Sequence, residues 1–296
     1  MNPTPIHIRS FAKINLALAV LGKRADGYHE IRTVFQSIDL HDDIEIRPCR
    51  HLALHCPDLA SVPREENMVW RAAAALAQAA APGTGAEIVL KKNIPQGAGL
   101  GGGSSNAAAA LLGLSRFWSL DVPPGQLRSI AAAIGSDVPF FLHGGTALGI
   151  GRGEEIYPLP EVQPAFLTVI HPGVHISTAA AYKSLNLQLT SLQARHKITG
   201  FCGQLADRSG DMAGIFNDFE SSILSAWPAV AQAKEFLKQR GATAAMLSGS
   251  GSSVFGFFLN EESALAASRS GNARKAWRVF PAKTLSRAEY FQSMFG

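Results

Sequence analysis

The sequence predicts an α+β protein built from two domains. Several strand-like runs follow one another closely near the N-terminus, whereas strands and helices alternate later in the chain. A proline-rich join at residues 158–164 is followed at once by a new apolar strand. The 296 residues, 47% of them hydrophobic, suffice for one large or two medium domains with a buried core. We therefore divide the chain into residues 1–160 and 161–296.

The first half of the chain begins with a strand over residues 11–24. Apolar side chains occupy every second position there, which places Lys13 and Asn15 together on the opposite face. An Asp-Gly turn follows at residues 26–27. Further along we predict two strands within residues 31–48 separated at 41–43, an alanine-rich helix over 67–80, a strand over 86–94 and helices over 104–118 and 126–135.

The second half predicts a strand over residues 166–170 and a helix over 177–186. Residues 188–212 are polar and predict no element. A pair of helices separated by Pro228 follows, then a strand, a glycine loop and a second strand within residues 242–260. The last forty residues predict one more helix and strand.

Composition excludes several classes of protein. The net charge is +4, and the basic residues are scattered, which favours weak attraction for an anionic ligand over a nucleic-acid surface. Cys49, Cys56 and Cys202 form no CxxC pair, so neither a zinc site nor a disulfide framework is indicated. Without a signal-peptide pattern or a run of membrane-spanning length, we expect a cytoplasmic protein with no membrane or nucleic-acid partner.

Residues 94–110 carry the strongest functional signal, reading IPQGAGLGGGSSNAAAA. A Walker phosphate loop would place a lysine where this chain has Gly103, so that pattern lacks its most informative residue. A dinucleotide fingerprint fits Gly97, Gly99 and Gly102. Its acidic partner would be Asp121, which follows the end of a helix and not a strand.

A third interpretation of this loop is a phosphate site at a helix N-terminus. Glycines let backbone N–H groups approach an anion closely, and Ser104, Ser105 and Asn106 can cap the helix and face the anion or its Mg²⁺. The structural alternative is a tight turn between a strand and a buried helix. Five glycines in the seven positions 97–103 are costly in backbone entropy for a turn alone.

Four stretches together resemble a known family. PQGAGLGGGSSNAAA (95–109) resembles the phosphate loop of the GHMP small-molecule kinases, and MLSGSGSSVFGFF (246–258) resembles their C-terminal glycine motif. The N-terminal stretch FAKINLALAVLGKRADGYHEIRTVFQSIDL and the later IGSDVPFFLHGGTALGIGRGE resemble, within that superfamily, the 4-diphosphocytidyl-2-C-methyl-D-erythritol kinases. The resemblance covers nearly the whole chain in order.

This resemblance implies a two-domain GHMP kinase fold, with an N-terminal ribosomal-protein-S5-like domain and a C-terminal ferredoxin-like domain around a cleft. It also implies transfer of phosphate from ATP, with Mg²⁺, to the 2-hydroxyl of the cytidine-diphosphate-linked methylerythritol in the non-mevalonate isoprenoid pathway. We expect a monomer or a weak homodimer acting on this small molecule.

The resemblance assigns the catalytic roles to Lys13 and Asp137. Asp137 would accept the hydroxyl proton, and Lys13 would offset charge on the phosphoryl group. The residues alone also permit simpler roles. Asp137 could cap the short helix that follows it, and Lys13 could be a solvated lysine on an edge strand.

The binding roles follow from the same resemblance. Asn15 would contact substrate, while Tyr28, His29 and Tyr182 would stack on and hydrogen-bond the cytosine. Tyr182 could equally be a core residue of its helix. The ATP-binding residues would be Asn67, Pro95, Gly97, Gly99, Leu100, Gly101, Gly102, Gly103, Ser104, Ser105 and Asn106.

Three other functions remain open from the residues. The same fold could carry another small-molecule kinase or a diphosphate decarboxylase, although the DGYH segment (26–29) has no purpose there. A non-catalytic nucleotide-binding module is disfavoured because both Lys13 and Asp137 are present. The dinucleotide interpretation is weakened at Asp121.

Overall fold

The computed structural model describes residues 4–59, 62–185, 191–207 and 212–296. Two sheets organise these residues, which confirms the predicted α+β class. The seven-stranded sheet contains β1 (Ile6–Lys23), β2 (His29–Arg47), β3 (Leu52–His55), β4 (Ala86–Lys91), β5 (Thr146–Ile150), β6 (Glu155–Pro158) and β8 (Phe216–Asn217). The four-stranded antiparallel sheet contains β7 (Phe166–His171), β9 (Ala244–Leu247), β10 (Val254–Phe258) and β11 (Arg278–Lys283), in the order β11-β7-β10-β9.

Ten helices cover the sheets within the described residues. They are α1 (Met68–Ala80), α2 (Gly102–Phe117), α3 (Pro124–Ile134), α4 (Val138–Phe141), α5 (Thr178–Ser184), α6 (Ser191–Ala206), α7 (Glu220–Ala226), α8 (Pro228–Gln239), α9 (Glu261–Asn272) and α10 (Arg287–Met294). None of the helices described here is long and apolar enough to cross a membrane.

The long hairpin of β1 and β2 is the main hairpin of the seven-stranded sheet, and its turn lies at the predicted Asp-Gly pair. The predicted break at residues 41–43 is wrong, because β2 continues from His29 to Arg47. Asp42 is fully buried in the middle of that strand. Lys92 neutralises its charge, and the backbone N–H groups of Asn93 and Ile94 donate to its carboxylate, so the strand need not end there.

Helices α1 and α2 pack on one face of this sheet. Ala107 to Ala110 are all fully buried, and the absence of large side chains lets α2 lie close to the strands. Gly113 allows the closest approach, because a Cβ there would meet the Ile8 side chain at 2.1 Å. The predicted helices at 67–80 and 104–118 are therefore confirmed, the second beginning two residues earlier, at Gly102.

The break at Pro228 and the strand–loop–strand at β9 and β10 are confirmed in the second half, and α5 confirms the helix predicted over 177–186 as far as Ser184, with residue 186 outside the described residues. The last forty residues contain two helices, α9 and α10, where one was predicted. Helix α6 occupies much of the stretch for which no element was predicted. Its sequence lacks a strong apolar stripe, yet Ile198 and Phe201 are buried in the cluster that also contains Ile14. The strands after residue 160 do not all join the second sheet, since β8 pairs parallel to β1. The boundary at residue 160 stays a prediction.

Candidate active site

A cavity of about 1000 Å³ opens between the two halves of the chain. Both halves supply its walls. Among its lining residues are Lys13, Asn15, Tyr28, His29, Gly97, Gly99, Gly101, Ser104, Asp137, Arg152, His175, Thr178, Tyr182 and Gly249. Most of the residues singled out from the sequence are thus brought together in one place.

Strand β1 carries Lys13 and Asn15 into the floor of this cavity. The Lys13 side chain is 4% exposed, and its Nζ donates a hydrogen bond of 2.6 Å to Asn15 Oδ1. Asn15 is held in turn, because its Nδ2 donates to Thr33 Oγ1 at 2.7 Å. A buried, fixed ammonium of this kind is not the solvated lysine that the sequence also allowed.

Asp137 faces that ammonium across the cavity. Its Oδ2 lies 3.6 Å from Lys13 Nζ, and its side chain is 32% exposed. Burial lowers the pKa of Lys13 below its ordinary value, while the negative charge of Asp137 opposes that shift. Asp137 does stand at the N-cap position of α4, but its side chain makes no capping hydrogen bond. The carboxylate is therefore directed to the cavity and available to a ligand.

The glycine loop places the N-terminus of α2 beside this pair. Gly97, Gly99 and Gly101 all adopt positive φ angles, of 57°, 77° and 69°. At Gly101 a Cβ would meet the Phe141 ring at 2.7 Å and Lys13 Cγ at 3.1 Å, so a side chain there would crowd the lysine. The Leu100 carbonyl also accepts the backbone N–H of Lys13 at 3.0 Å. Loop and lysine are thus fixed relative to each other.

The second glycine loop, between β9 and β10, supports the first. Ser248 Oγ donates to the Gly99 carbonyl at 2.9 Å, and Ser253 N donates to the Ala98 carbonyl at 3.1 Å. A Cβ on Gly99 would lie only 2.0 Å from the Ser248 carbonyl oxygen. The two loops therefore touch backbone to backbone, which explains the need for glycine in this part of the first loop.

The predicted ATP-binding residues divide into two groups. Gly97, Gly99, Gly101 and Ser104 line the cavity, whereas Pro95, Leu100, Gly102, Gly103, Ser105 and Asn106 do not. Ser105 Oγ donates to the Phe11 carbonyl at 2.6 Å, and Asn106 Nδ2 donates to Asp42 at 2.9 Å. These two side chains are buried under the loop and hold it from below.

Asn67 lies outside the cavity lining, at the N-terminus of α1. Its Oδ1 accepts the Val69 N–H at 2.9 Å, so it caps the helix. The next residue, Met68, comes within 3.1 Å of a Cβ built on Gly103. The N-termini of α1 and α2 are therefore neighbours, and a role for Asn67 near adenine stays a prediction.

At the other end of the cavity three aromatic rings are grouped. The His29 and Tyr182 rings are stacked at 4.1 Å with an interplanar angle of 10°, and Phe219 supports Tyr182 edge-on at 4.9 Å. Tyr28 is 53% exposed. Burial raises the pKa of Tyr182 to about 12 and, with Lys23, lowers that of His29, so both rings are neutral at pH 7. Flat, neutral, partly exposed rings suit stacking on a base.

Sequence reasoning missed several residues that line the cavity, among them Arg152, His175 and Thr178. Thr178 follows the N-cap Ser177 of α5, and the ring of His175 would be 2.6 Å from a Cβ on Gly97. In the sequence, Arg152 stands out only through its two flanking glycines, Gly151 and Gly153, and the structure gives both a positive φ. Two such glycines indicate a tight turn, but they do not indicate that the turn borders the cavity.

This fold and site define a class of protein. The family model "GHMP kinases N terminal domain" matches residues 67–145, and "GHMP kinases C terminal" matches residues 201–275. The chain is 46% identical to the 4-diphosphocytidyl-2-C-methyl-D-erythritol kinase of Solibacter usitatus over 85% of this chain and 81% of that protein. It is 40% identical to the enzyme of that name from Syntrophus aciditrophicus, over 95% and 99%.

A solved structure agrees. The crystal structure of a 4-(cytidine 5'-diphospho)-2C-methyl-D-erythritol kinase superposes with a TM-score of 0.80 at 31% identity, covering 94% of this chain and 99% of that one. The chain is thus a GHMP kinase, and it belongs to the 4-diphosphocytidyl-2-C-methyl-D-erythritol kinase family.

Proposed function

We propose that this protein transfers the γ-phosphoryl group of ATP to the 2-hydroxyl of 4-diphosphocytidyl-2-C-methyl-D-erythritol, a step of non-mevalonate isoprenoid synthesis. One observation carries the proposal most directly. The Lys13–Asp137 pair, the glycine loop and the His29–Tyr182 stack line a single cavity. We further propose that it acts in the cytoplasm as a monomer or weak homodimer.

Asp137 is proposed to accept the proton of the attacking hydroxyl. Its carboxylate faces the cavity and is not engaged as a helix cap, so a substrate hydroxyl can reach it. The Lys13 ammonium lies 3.6 Å away and brings a positive charge to the same place. The same ammonium offsets negative charge on the phosphoryl group during its transfer.

The phosphates of ATP are proposed to lie on the first glycine loop. The first turn of α2, which brings Ser104 to the cavity wall, has backbone N–H groups without a partner inside the helix. Since the Walker-type lysine is absent, positive charge comes from this helix end and from Lys13. The Ser104 hydroxyl, which lines the cavity, can add a hydrogen bond.

The residues present also fit Mg²⁺. No cluster of three or more His, Cys, Asp or Glu suited to a metal occurs in the part of the chain that the structure describes. Mg²⁺ usually needs no such cluster, because one or two protein oxygens and the substrate phosphates hold it. The Ser104 hydroxyl, which lines the cavity, would be one such protein oxygen, and the ion would supply positive charge at the phosphates of ATP.

The aromatic end of the cavity is proposed to select cytosine. Tyr28, His29 and Tyr182 supply stacking faces and hydrogen-bonding edges beside each other. Such an arrangement favours the cytidine-linked substrate over homoserine or mevalonate phosphate, which carry no base.

Purified protein with ATP, Mg²⁺ and the diphosphocytidyl alcohol tests the proposal through ADP release. We expect turnover with this alcohol and none above background with homoserine or mevalonate phosphate. Turnover with either of those two but not with the diphosphocytidyl alcohol would contradict the proposal.

A further inference from the structure

The turn at residues 151–153 connects the two ends of the cavity. At one side, Ile31 N donates to the Gly151 carbonyl at 2.7 Å, which ties the turn to β2 just after His29. At the other side, a Cβ on Gly153 would lie 3.9 Å from Asp137 Oδ1. The residue between these two glycines therefore lies between the aromatic rings and the catalytic carboxylate.

That residue, Arg152, is held in place. Its Nε donates to Glu154 Oε1 at 3.0 Å, and its backbone N–H donates to Glu154 Oε2 at 2.6 Å. The guanidinium lies 4.7 Å from the centre of the Tyr28 ring. The side chain is 26% exposed and lines the cavity. Arg152 thus brings to this wall a guanidinium that is held by its ion pair with Glu154.

We propose that Arg152 binds the diphosphate of the cytidine-linked substrate, an inference that rests on the proposed function. In that substrate the diphosphate joins the cytidine to the methylerythritol. With the base at Tyr28 and Tyr182 and the hydroxyl at Asp137, the diphosphate lies between them, beside the 151–153 turn. A guanidinium has five N–H donors in a planar fork that matches phosphate oxygens, and the contact with Glu154 uses Nε.

Other cations border the same end of the cavity, but they are less well fixed. Lys23 and Lys183 line it with exposed side chains. An exposed lysine loses more side-chain entropy when it binds an anion than an arginine already held by a neighbour. Arg152 is accordingly the cation best prepared for the diphosphate.

The test compares CDP with cytidine, because the two ligands share the base and ribose and differ in the diphosphate. In Arg152→Met we expect CDP to bind about tenfold more weakly or worse, since charge-assisted hydrogen bonds are lost. Cytidine affinity should change less than about threefold, and the KM for ATP should stay unchanged. Arg152→Lys keeps the charge but not the fork and should lose less CDP affinity.

Arg128→Met is the matched control, because it removes one exposed arginine from α3, away from the cavity. It should leave both affinities unchanged. Thermal unfolding of each variant checks that it is folded. If Arg152→Met does not fold, the CDP and cytidine affinities of Arg152→Lys are compared with those of the wild type instead. Equal losses for CDP and cytidine would mean that Arg152 acts only through Tyr28, and this result or unchanged CDP binding overturns the inference. Wild-type protein that fails to phosphorylate the diphosphocytidyl alcohol contradicts the proposed function instead.

Discussion

Two lysine–aspartate pairs lie against the first residues of α2, and they differ in nearly every physical respect. The Lys13–Asp137 pair is loose, at 3.6 Å, and its carboxylate is one-third exposed to the cavity. The Lys92–Asp42 pair is in direct contact, and its carboxylate is completely buried. Built Cβ atoms on Gly101 and Gly102 would approach Lys13 Cγ and Lys92 Nζ at 3.1 and 3.2 Å.

The difference lies in how fully each carboxylate is satisfied. Asp42 accepts the backbone N–H groups of Asn93 and Ile94 and the amide of Asn106, in addition to Lys92. Asp137 lacks such a set of donors among the described residues, and its carboxylate faces the cavity with Lys13 Nζ at 3.6 Å. A buried carboxylate whose hydrogen-bond acceptors are all satisfied stabilises the structure, whereas a carboxylate with free acceptors can bind a ligand and exchange a proton.

The largest expected effect is on catalysis, at the Lys13–Asp137 pair, which we call the open pair because its carboxylate faces the cavity. Asp137→Asn should lower kcat by about 10²- to 10⁴-fold, because the amide cannot accept the hydroxyl proton. The KM for ATP should change little. Steady-state kinetics with thermal unfolding measure both quantities. Asp121→Asn, an exposed residue between α2 and α3, is the matched control. Near-normal turnover in Asp137→Asn would refute the assignment of the base.

At the Lys92–Asp42 pair, which we call the closed pair because its carboxylate is buried, replacing aspartate by asparagine should act on stability. Asp42→Asn should cost about 3–5 kcal/mol in the free energy of unfolding, because it leaves the buried Lys92 ammonium without its counter-charge. Denaturant titration measures this loss. Asp43→Asn, on the exposed neighbour, should stay within about 0.5 kcal/mol. If Asp42→Asn instead retained full stability, the contrast between the two pairs would be wrong.

Removing the lysine of the closed pair should cost less than removing its aspartate. Lys92→Met leaves Asp42 with three N–H donors, so we expect a loss of about 2–3 kcal/mol in the free energy of unfolding. The comparison variant is Lys91→Met, whose lysine is exposed on β4. A loss in Lys92→Met larger than that of Asp42→Asn would show that the backbone donors do not stabilise the carboxylate.

The smallest effect is a shift in pH dependence at the open pair. Because burial lowers the pKa of Lys13, kcat should fall on the alkaline side at a lower pH than an ordinary lysine would allow. Asn15→Leu removes an acceptor of the ammonium and should move this fall to still lower pH. A pH–rate profile of both proteins measures the shift, and an identical alkaline limb would contradict it.

Stability should respond to the same titration with the opposite sign. Since the folded-state pKa of Lys13 is lowered, the unfolded chain binds more protons between that pKa and 10.5. The contribution of Lys13 to the free energy of unfolding therefore rises with pH across this interval while activity falls. Comparing wild type with Lys13→Met by denaturant titration at several pH values isolates this contribution.

Much of the fold was predictable because local patterns agree with the final structure. Alanine-rich α1 and α2 and the proline break before α8 needed no tertiary information. The supposed break at residues 41–43 failed for a specific reason. A buried aspartate in a strand depends on Lys92 and Asn106, which are 50 and 64 residues away in sequence.

The site was predictable in the same uneven way. The glycine loop, Lys13 and Asp137 are recognisable because their residue types and order resemble one family. The sequence could not predict which loop residues line the cavity, since Ser104 lines it while Ser105 and Asn106 point beneath the loop. On a helix, neighbours in sequence lie about 100° apart around the axis, so adjacent residues face different surroundings.

The sequence by itself determined the α+β class, most of the elements, the glycine loop before α2 and the family resemblance, because these depend on spacing and residue type along the chain. Only the tertiary structure decided which of two Lys–Asp pairs is open, and that Arg152 lies between the rings and Asp137. Burial, charge compensation and proximity depend on residues that are far apart in sequence, and folding alone brings them together.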